Sequence, residues 1–510
     1  MKISYFKTAA IVTLMLLGAC SEDFLEQYDP NAISTSKFFQ TEGDVLLAVN
    51  GIYQSLRSSN TIGEGSYLFT DERSDDAGRN DNQSNAGEPF QFNDFSLLPS
   101  NTYLKTHWVS MYSAISRCNI VLGNIEKVTF SSPDIKAKYN AEVKFIRALL
   151  YFHLVRKWGD VPLVTSQLRT GDEVIASTSR EKQDVVYQQI LSDLKDAVGS
   201  PLPDRQTEVN LGRVTKTAAN ALLGQVYLTM ATTLDQGSGA TNLAEAKNYL
   251  TAAYDLRPFG ELKEIPYTDV FDVNKQSGCP EIIFQIVNVQ GDVNYSSSIA
   301  RTFQAKGETV NSLNPGTSSG GRATLDLVNE YETADSRKDF SVKFANDPAV
   351  QDWFITKFRD NSPAAGTSGY GGNDWILMRF ADVILMLAET HLYLGDDAKA
   401  IEYLNMVRER SNMPLYDIAK NNPAYNSKFP TLKLAILHER RVELAFERHR
   451  WYDLLRFFTT DELVNYFHSK NQAEYGTARL ANFSDKDRYY PIPFDEYKLN
   501  PEKMWQNEGY

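Results

Sequence analysis

Apolar residues recur at helical spacing along most of this 510-residue chain, and no other feature restricts its fold as much. In TKTAANALLGQVYLTM, Ala218, Leu222 and Val226 recur four apart, with Ala219, Leu223 and Tyr227 beside them. After a polar loop, Ala246, Tyr249, Leu250, Ala253 and Tyr254 repeat the spacing. This pattern predicts two amphipathic helices joined as a pair. A second pair is predicted over residues 379–412. Ile384, Leu387, Ala388 and His391 line one face there, Ala400, Leu404 and Val407 line the next, and Gly395-Asp396 makes the turn.

Leu223-Gly224-x2-Tyr227 matches the L-G-x2-Y of a tetratricopeptide (TPR) helix A. Ala246, Leu250, Ala253 and Pro258 then fall at the spacing of helix B and its exit proline, once the insert DQGSGATNL is allowed. The small residue lets the paired helices approach closely. Two such pairs predict stacked helix pairs. Further long helices are predicted at 41–57, 103–125, 135–158, 182–198 and 432–457. Three stretches break the pattern. Residues 61–100 are crowded with Gly, Asn, Asp and Arg, and residues 260–376 hold the strand-like runs IIFQIVNV and WFITKF between Gly/Ser/Asn-rich loops. The tail YYPIPFDEY is bracketed by prolines and extended. The expected fold is therefore dominated by α-helices: a TPR-type helix-pair superhelix with loop-rich insertions, containing short β-strands, at about 61–100 and 260–376.

The chain begins MKISYFKTAAIVTLMLLGACSEDFLEQ. Lys2 and Lys7 precede an apolar stretch from Thr8 to Leu17. That stretch is too short for a spanning helix, which needs about 20 residues, and it suits a secretory signal occupying residues 1–19. Leu17-Gly18-Ala19-Cys20 resembles the lipobox of bacterial lipoproteins, which implies lipidation of Cys20 as the mature N-terminus. The alternative is an ordinary signal peptide with a chance cysteine. Ser21-Glu22-Asp23 resembles the surface-export tether of Bacteroidetes lipoproteins. A net charge of −13 argues against a broad nucleic-acid surface. Cys118 falls at core spacing on a helix and Cys279 in a Gly-Cys-Pro turn. A bridge between them stays open, but nothing local favours it.

Tests for catalysis find no constellation. The histidines do not cluster, and HERRVE at His438 lacks the second ligand of a zinc motif, since that position is Val442. Its neighbours Glu439, Arg440, Arg441, Glu443 and Glu447 read as a helix laced with ion pairs. Gly316-Thr317-Ser318-Ser319-Gly320 matches G-x-S-x-G, but a polar, proline-ended stretch precedes it where a nucleophile elbow needs a buried strand. Carboxylates over 71–81 could form a hydrolytic pair, yet with 65 acidic residues close pairs arise by chance. The expectation is a non-enzyme with no cofactor and no metal.

Several motifs become specific together. FFQTEGDVLLAVNGIYQSL, HWVSMYSAISRCNIVLGNI, AEVKFIRALLYFHLVRKWGDVPLV, GRVTKTAANALLGQVYL, DWILMRFADVILMLAE, ERRVELAFERHRWYDLLRF and YYPIPFDEYKLNPEKMWQNEGY occur in this order. With them the chain resembles the SusD/RagB family of outer-membrane nutrient-binding lipoproteins over nearly its whole length. One departure is Arg448, where the family usually has glycine after Glu447; it puts the local turn in doubt. The resemblance implies a TPR-built body on the outer membrane facing the cell exterior, binding oligosaccharide or sometimes peptide. It implies a SusC-like TonB-dependent transporter as partner, with this protein as its lid. Arg147, Arg379, Asp382 and Glu389 lie in these motifs and are expected to fix helix packing through ion pairs.

A sugar offers flat C–H faces and rings of hydroxyls, so aromatic rings and Asp, Asn or Arg on scaffolded loops suit it. Trp108, Trp158, Trp375, Trp451 and Trp505 sit in the structural motifs, and Trp353 does not. The aromatic candidates are Tyr67, Tyr295, Trp353 and Tyr370; the polar ones are Asp76, Arg79, Asn80 and Arg322. The 61–100 loop and the 290–375 insertion are expected to converge on one face. The main reading is thus a surface glycan-binding lipoprotein. Its rivals are a peptide-binding relative, a TPR protein-interaction scaffold and a surface hydrolase.

Overall fold

The computed structural model describes residues 38–78, 87–234, 239–303, 321–347, 350–360, 362–368, 370–475 and 479–510. Cys20, Arg79, Asn80 and the G-x-S-x-G run lie outside these described residues. Helices carry the body, as the periodicity predicts. Those of eight residues or more are α1 (Glu42–Leu56), α2 (Thr102–Asn124), α3 (Pro133–Trp158), α4 (Gln183–Val198), α5 (Lys216–Thr233), α6 (Ala240–Asp255), α7 (Phe380–Tyr393), α8 (Asp397–Arg410), α9 (Leu432–Glu443), α10 (Arg450–Phe457) and α11 (Thr460–Ser469). Among the described residues no helix is long and apolar enough to cross a membrane.

Local chemistry sets the helix ends. Thr41 and Asp44 cap each other's backbone N–H at the start of α1. Ser132 caps α3, Pro133 opens it, and Gly159 takes a positive φ of 70° just after it. The pair α5–α6 packs as read from LGxxY. A Cβ on Gly224 would lie 2.6 Å from Leu250 Cγ, so only glycine permits this approach. In the second pair, Gly395 (φ 77°) makes the turn between α7 and α8 and Asp396 caps α8.

Two helix predictions need correction. α5 is not amphipathic: every residue from Thr217 to Ala231 is buried, because other helices cover it on all sides. Its polar groups bond locally, Thr217 Oγ1 donating to Asp204 O at 2.8 Å and Thr229 Oγ1 to Gln225 O at 2.8 Å. Residues 432–457 form two helices rather than one. The chain turns a corner between α9 and α10, with Phe446 at φ 66° and Arg448 at φ 68°. Apolar and ion-paired positions run straight through the corner, so periodicity could not reveal it. Arg448 does occupy the left-handed region that suits glycine. Its side chain offsets the cost: the guanidinium donates to Ile376 O (2.6 Å) and Ile62 O (3.3 Å) and lies 4.6 Å from the Trp375 ring centre.

Among the described residues eight short strands decorate the body: β1 (Ala77–Gly78), β2 (Val161–Pro162), β3 (Arg180–Glu181), β4 (Ile282–Ile286), β5 (Arg322–Ala323), β6 (Val342–Asp347), β7 (Val350–Ile355) and β8 (Trp375–Arg379). They form a four-stranded antiparallel sheet ordered β1-β5-β7-β6 and the pairs β2-β3 and β4-β8. Cys118 and Cys279 are buried free thiols.

Candidate functional site

Arg147, Arg379, Asp382 and Glu389 of the sequence motifs are buried structural groups. Arg147 grips Asp193 with two bonds of 2.8 and 2.7 Å, joining α3 to α4. Arg379 reaches Glu281 (2.7 Å), Glu443 (2.6 Å) and Glu447 (2.7 Å), so that one guanidinium joins β8, the residue before β4, and the α9–α10 corner. Asp382 accepts from Arg440 (2.8 Å) and Glu389 from Arg456 (2.9 and 2.8 Å). Burial works against each charge, but the partners prevail at Glu447, where Arg379 and Lys357 hold the carboxyl down at about 2. Glu332, His438 and Glu439 bring ligand-type atoms within 4.8 Å of one another. Arg408 binds both Glu332 (2.8 Å) and Glu439 (2.9 Å), and Arg337 adds a bond to Glu439 (2.6 Å). Both carboxylates of this group are thus already paired with cations of the chain itself.

Elsewhere the loops do converge. Glu64, in the turn that carries Tyr67, accepts from Ser297 Oγ (2.6 Å), Ser298 N (2.8 Å) and Ser298 Oγ (2.7 Å). Ser297 in turn pairs with Gly371 through two backbone bonds of 2.8 Å. Gly291 N donates to the carbonyl of Tyr370 at 3.3 Å. Thr324 N donates to Asp76 O at 3.0 Å, and β1 pairs with β5. Residues 61–78 are therefore stitched to 291–303, 321–324 and 370–375, which brings the segments of Tyr67, Tyr295 and Tyr370 together.

Tyr295 is the most open of these rings, 48% exposed, with Val289 and Val293 exposed beside it. The Asp292 carboxylate holds its loop by accepting from Asn294 N (2.7 Å) and Tyr295 N (3.1 Å). Arg57 supports it from below, donating to Val287 O and to Asn288 Oδ1 (2.6 Å) with its guanidinium 5.5 Å from the Tyr295 ring centre. Tyr67 is half-buried and meets Phe303 edge-on at 4.9 Å. Tyr370 is half-buried.

Trp353 and Arg322 part company. Trp353 pairs across the β6–β7 hairpin with Phe344, rings 5.6 Å apart, and Phe344 is 44% exposed. Arg322 pairs with Phe354 and bonds Asp352 at 2.8 Å. Alternation along a strand puts neighbours 353 and 354 on opposite faces, so Trp353 and Arg322 serve opposite faces of the hairpin. Asp76 is fully buried and bonded to Arg441 at 2.7 Å, out of reach of a surface ligand. The expected acidic loop cluster is partly an internal anchor, because Asp75 also binds Arg450 (2.7 and 2.9 Å).

A groove of about 810 Å³ lies beside the tyrosine face, lined by Asp272, Asn274, Asp339, Lys343, Arg359 and Ser362 among others. Gln290 joins it to the tyrosine loop by donating to Ser362 Oγ (2.9 Å) and Asp360 (3.2 Å). The sequence reading missed Arg57, Glu64, Gln290 and this groove. The first two sit at the end of a core helix and in an adjoining turn, and only three-dimensional contact with the 287–298 loop reveals them. Burial raises the Asp374 carboxyl to about 7 beneath the same loop, against the Asn288 N–H and Arg57, which lower it.

Comparison with known proteins fits this architecture. The SusD family matches residues 341–510, and the family described as "starch-binding associating with outer membrane" matches residues 23–228. SusD-like protein P2 of Formosa agariphila is 27% identical, over 99% of this chain and 99% of its own. A SusD-like protein of Bacteroides ovatus is 24% identical over 90% of this chain and 84% of its own. Among solved structures, a SusD superfamily protein of Parabacteroides distasonis superposes with a TM-score of 0.74 at 23% identity, covering 92% of this chain and 99% of that one. Surface glycan-binding protein A of Bacteroides thetaiotaomicron, in complex with laminarihexaose, does so with a TM-score of 0.72 at 20% identity, covering 92% and 100%. Two SusD family models at the two ends of the chain and SusD-like relatives along nearly its whole length thus agree with the SusD/RagB resemblance of the sequence motifs.

Proposed function

We propose that this protein is a cell-surface glycan-binding lipoprotein that captures oligosaccharide at the tyrosine face and groove and delivers it to a SusC-like TonB-dependent transporter. The observation that carries the reading is Tyr295: an aromatic ring 48% exposed on a loop whose hydrogen bonds are made beneath it. Exposed rings of this kind suit the C–H faces of sugars, and the Asp, Asn, Lys and Arg of the groove suit their hydroxyls. The family matches support the class of ligand, since one matching family is described as starch-binding at the outer membrane and a structural neighbour holds laminarihexaose. Tyr67, Tyr295 and Tyr370 supply the platform, with Trp353 and Arg322 as separate contacts for a longer chain. Arg79 and Asn80 complete the polar set on this reading, and Asp76 leaves it.

Calorimetric titration against a glycan panel that includes laminarihexaose, beside a peptide panel, tests the ligand class. Binding that strengthens with oligosaccharide length is expected; saturable binding of peptides alone would replace the glycan reading. Lipid anchoring at Cys20 follows from LGAC at the end of the apolar run. Cys20→Ala is expected to leave membranes or to remain unprocessed, read by fractionation and mass. Mild detergent extraction is expected to recover a much larger β-barrel partner with the protein, and recovery alone would count against delivery to a transporter.

A further inference from the structure

One cavity far from the tyrosine face has a lining of a single sign. It lies between α3, α4, α5, α10 and the C-terminal tail, and three of its lining side chains are Arg156, Arg456 and Arg488. No Asp or Glu lines it. Arg456 is neutralised by Glu389 (2.9 and 2.8 Å) and Asp453 (2.8 Å). Among the described residues the other two form no ion pair. Arg156 is only 9% exposed and makes one hydrogen bond, from Nε to Phe152 O at 3.0 Å. Its guanidinium lies between the Phe152 and Tyr452 rings, 3.7 Å from each centre. Stacking covers the two flat faces of the cation and leaves the Nη edge for whatever fills the cavity. Asp382 is felt by Arg156 from a distance, but that carboxylate is bonded to Arg440. Arg488 Nη1 is buried with no hydrogen-bond partner. The Tyr187 hydroxyl, bonded to Thr233, lies within electrostatic reach of both cations.

We propose that this cavity binds one small monovalent anion of halide size between Arg156 and Arg488. Its volume is about 20 Å³, room for one body of water size, since a water needs roughly 10–15 Å³. Charge decides between water and anion. The buried Arg156 cation and the buried Nη1 edge of the half-buried Arg488, both without counter-ions among the described residues, are a cost that a neutral water does not remove. The lining also favours an acceptor, because Gln183 Oε1 already accepts from Tyr489 OH at 3.3 Å. The bound anion bridges Arg488, on the tail, to Arg156, on α3, and so ties the C-terminal segment to the helical body. This site is independent of the glycan reading.

The test is thermal unfolding of the full chain in sodium chloride, sodium bromide and sodium gluconate at matched ionic strength. Chloride and bromide are expected to raise Tm saturably, whereas gluconate is too large to enter. Arg488→Gln and Arg156→Gln are expected to abolish the difference between the salts. Crystals grown in sodium bromide are expected to show an anomalous peak between the two guanidiniums. A response that follows ionic strength alone, or a cavity without bromide, means water only and overturns the proposal. Should Arg156→Gln fail to fold, Arg488→Gln and the bromide experiment on the unaltered chain still decide it.

Discussion

The α9–α10 corner and the tyrosine face are made from the same residue types put to opposite uses. At the corner, Arg379, Arg410 and Arg337 meet Glu281, Glu439 and Glu443 with exposures of 1% or less on every side chain. Each charge there has its partner and none faces solvent. At the tyrosine face the backbone is equally well bonded, but the rings and part of the polar groups are left open. The difference teaches that a charged motif in this chain marks the scaffold, and that ligand chemistry is to be sought where side chains are left over after the backbone is satisfied.

The sharpest way to break that comparison is to remove one member of the corner. Arg379→Met takes one cation from three buried carboxylates, which keep only Arg410, Arg337 and Lys357, and losing one partner of a buried ion pair costs about 3–5 kcal/mol. Urea denaturation reads this as a lower midpoint. A loss below about 1 kcal/mol, the size of an exposed pair, would place the corner among surface bridges instead.

The second test sets two helical glycines against each other. Gly224→Ala pushes a methyl to within 3.0 Å of the Leu250 backbone N, so the α5–α6 pair must part. Overpacking costs about 1–3 kcal/mol and outweighs the helix gain. Gly123→Ala meets nothing within 4 Å and is expected to stabilise α2 by about 0.5–1 kcal/mol. Equal signs for the two in thermal unfolding would refute the close-packing role of Gly224.

The third concerns pH. Burial, reinforced by Asp76, raises the Asp71 carboxyl to about 8, while the Arg448 backbone N–H donates to its Oδ1 at 3.1 Å. A folded pKa above the unfolded one gives stability that is complete below the ordinary carboxylate range and lost as pH rises through about 8. Glu447 does the reverse: its contribution is present above 4.5 and lost as pH falls toward 2. Asp71→Asn, which mimics the protonated acid, is expected to flatten the alkaline limb of the stability profile and leave the acid limb alone. An unchanged alkaline limb would show Asp71 ionised in the folded protein.

Much of the scaffold was legible because helices repeat. LGxxY located the α5–α6 contact to the residue, and Gly395-Asp396 located the second turn. The corner was not legible, since Glu443 and Glu447 keep helical spacing across a break that only the dihedrals of Phe446 and Arg448 reveal. In the candidate site, composition put Tyr295, Tyr370 and Asp76 forward alike, and the structure leaves Tyr295 open but buries Asp76, because an aspartate in a polar loop reads the same whether it faces water or Arg441. Strand alternation would have separated Trp353 from Arg322, had the pairing of β5 with β7 been knowable in advance.

The smallest expected change in stability carries the functional comparison. Tyr295→Ala removes a ring that is half in water, so little buried area is lost and Tm is expected to stay nearly constant. On the proposed reading the ring is the open platform of the face, and affinity for the cognate oligosaccharide is expected to fall strongly. Trp158→Ala should do the opposite: Trp158 is fully buried, donates from Nε1 to Pro491 O at 3.0 Å, and its truncation costs about 3–5 kcal/mol. Trp353→Ala separates the two faces of the hairpin, since Trp353 meets Phe344 edge-on and shares no face with Arg322. If Tyr295→Ala lowers Tm as Trp158→Ala does, its ring belongs to the scaffold. If Tyr67, Tyr295 and Tyr370 can each become alanine with affinity intact while Trp353 cannot, the platform moves from the tyrosine loops to the hairpin, and the ligand path runs over Phe344.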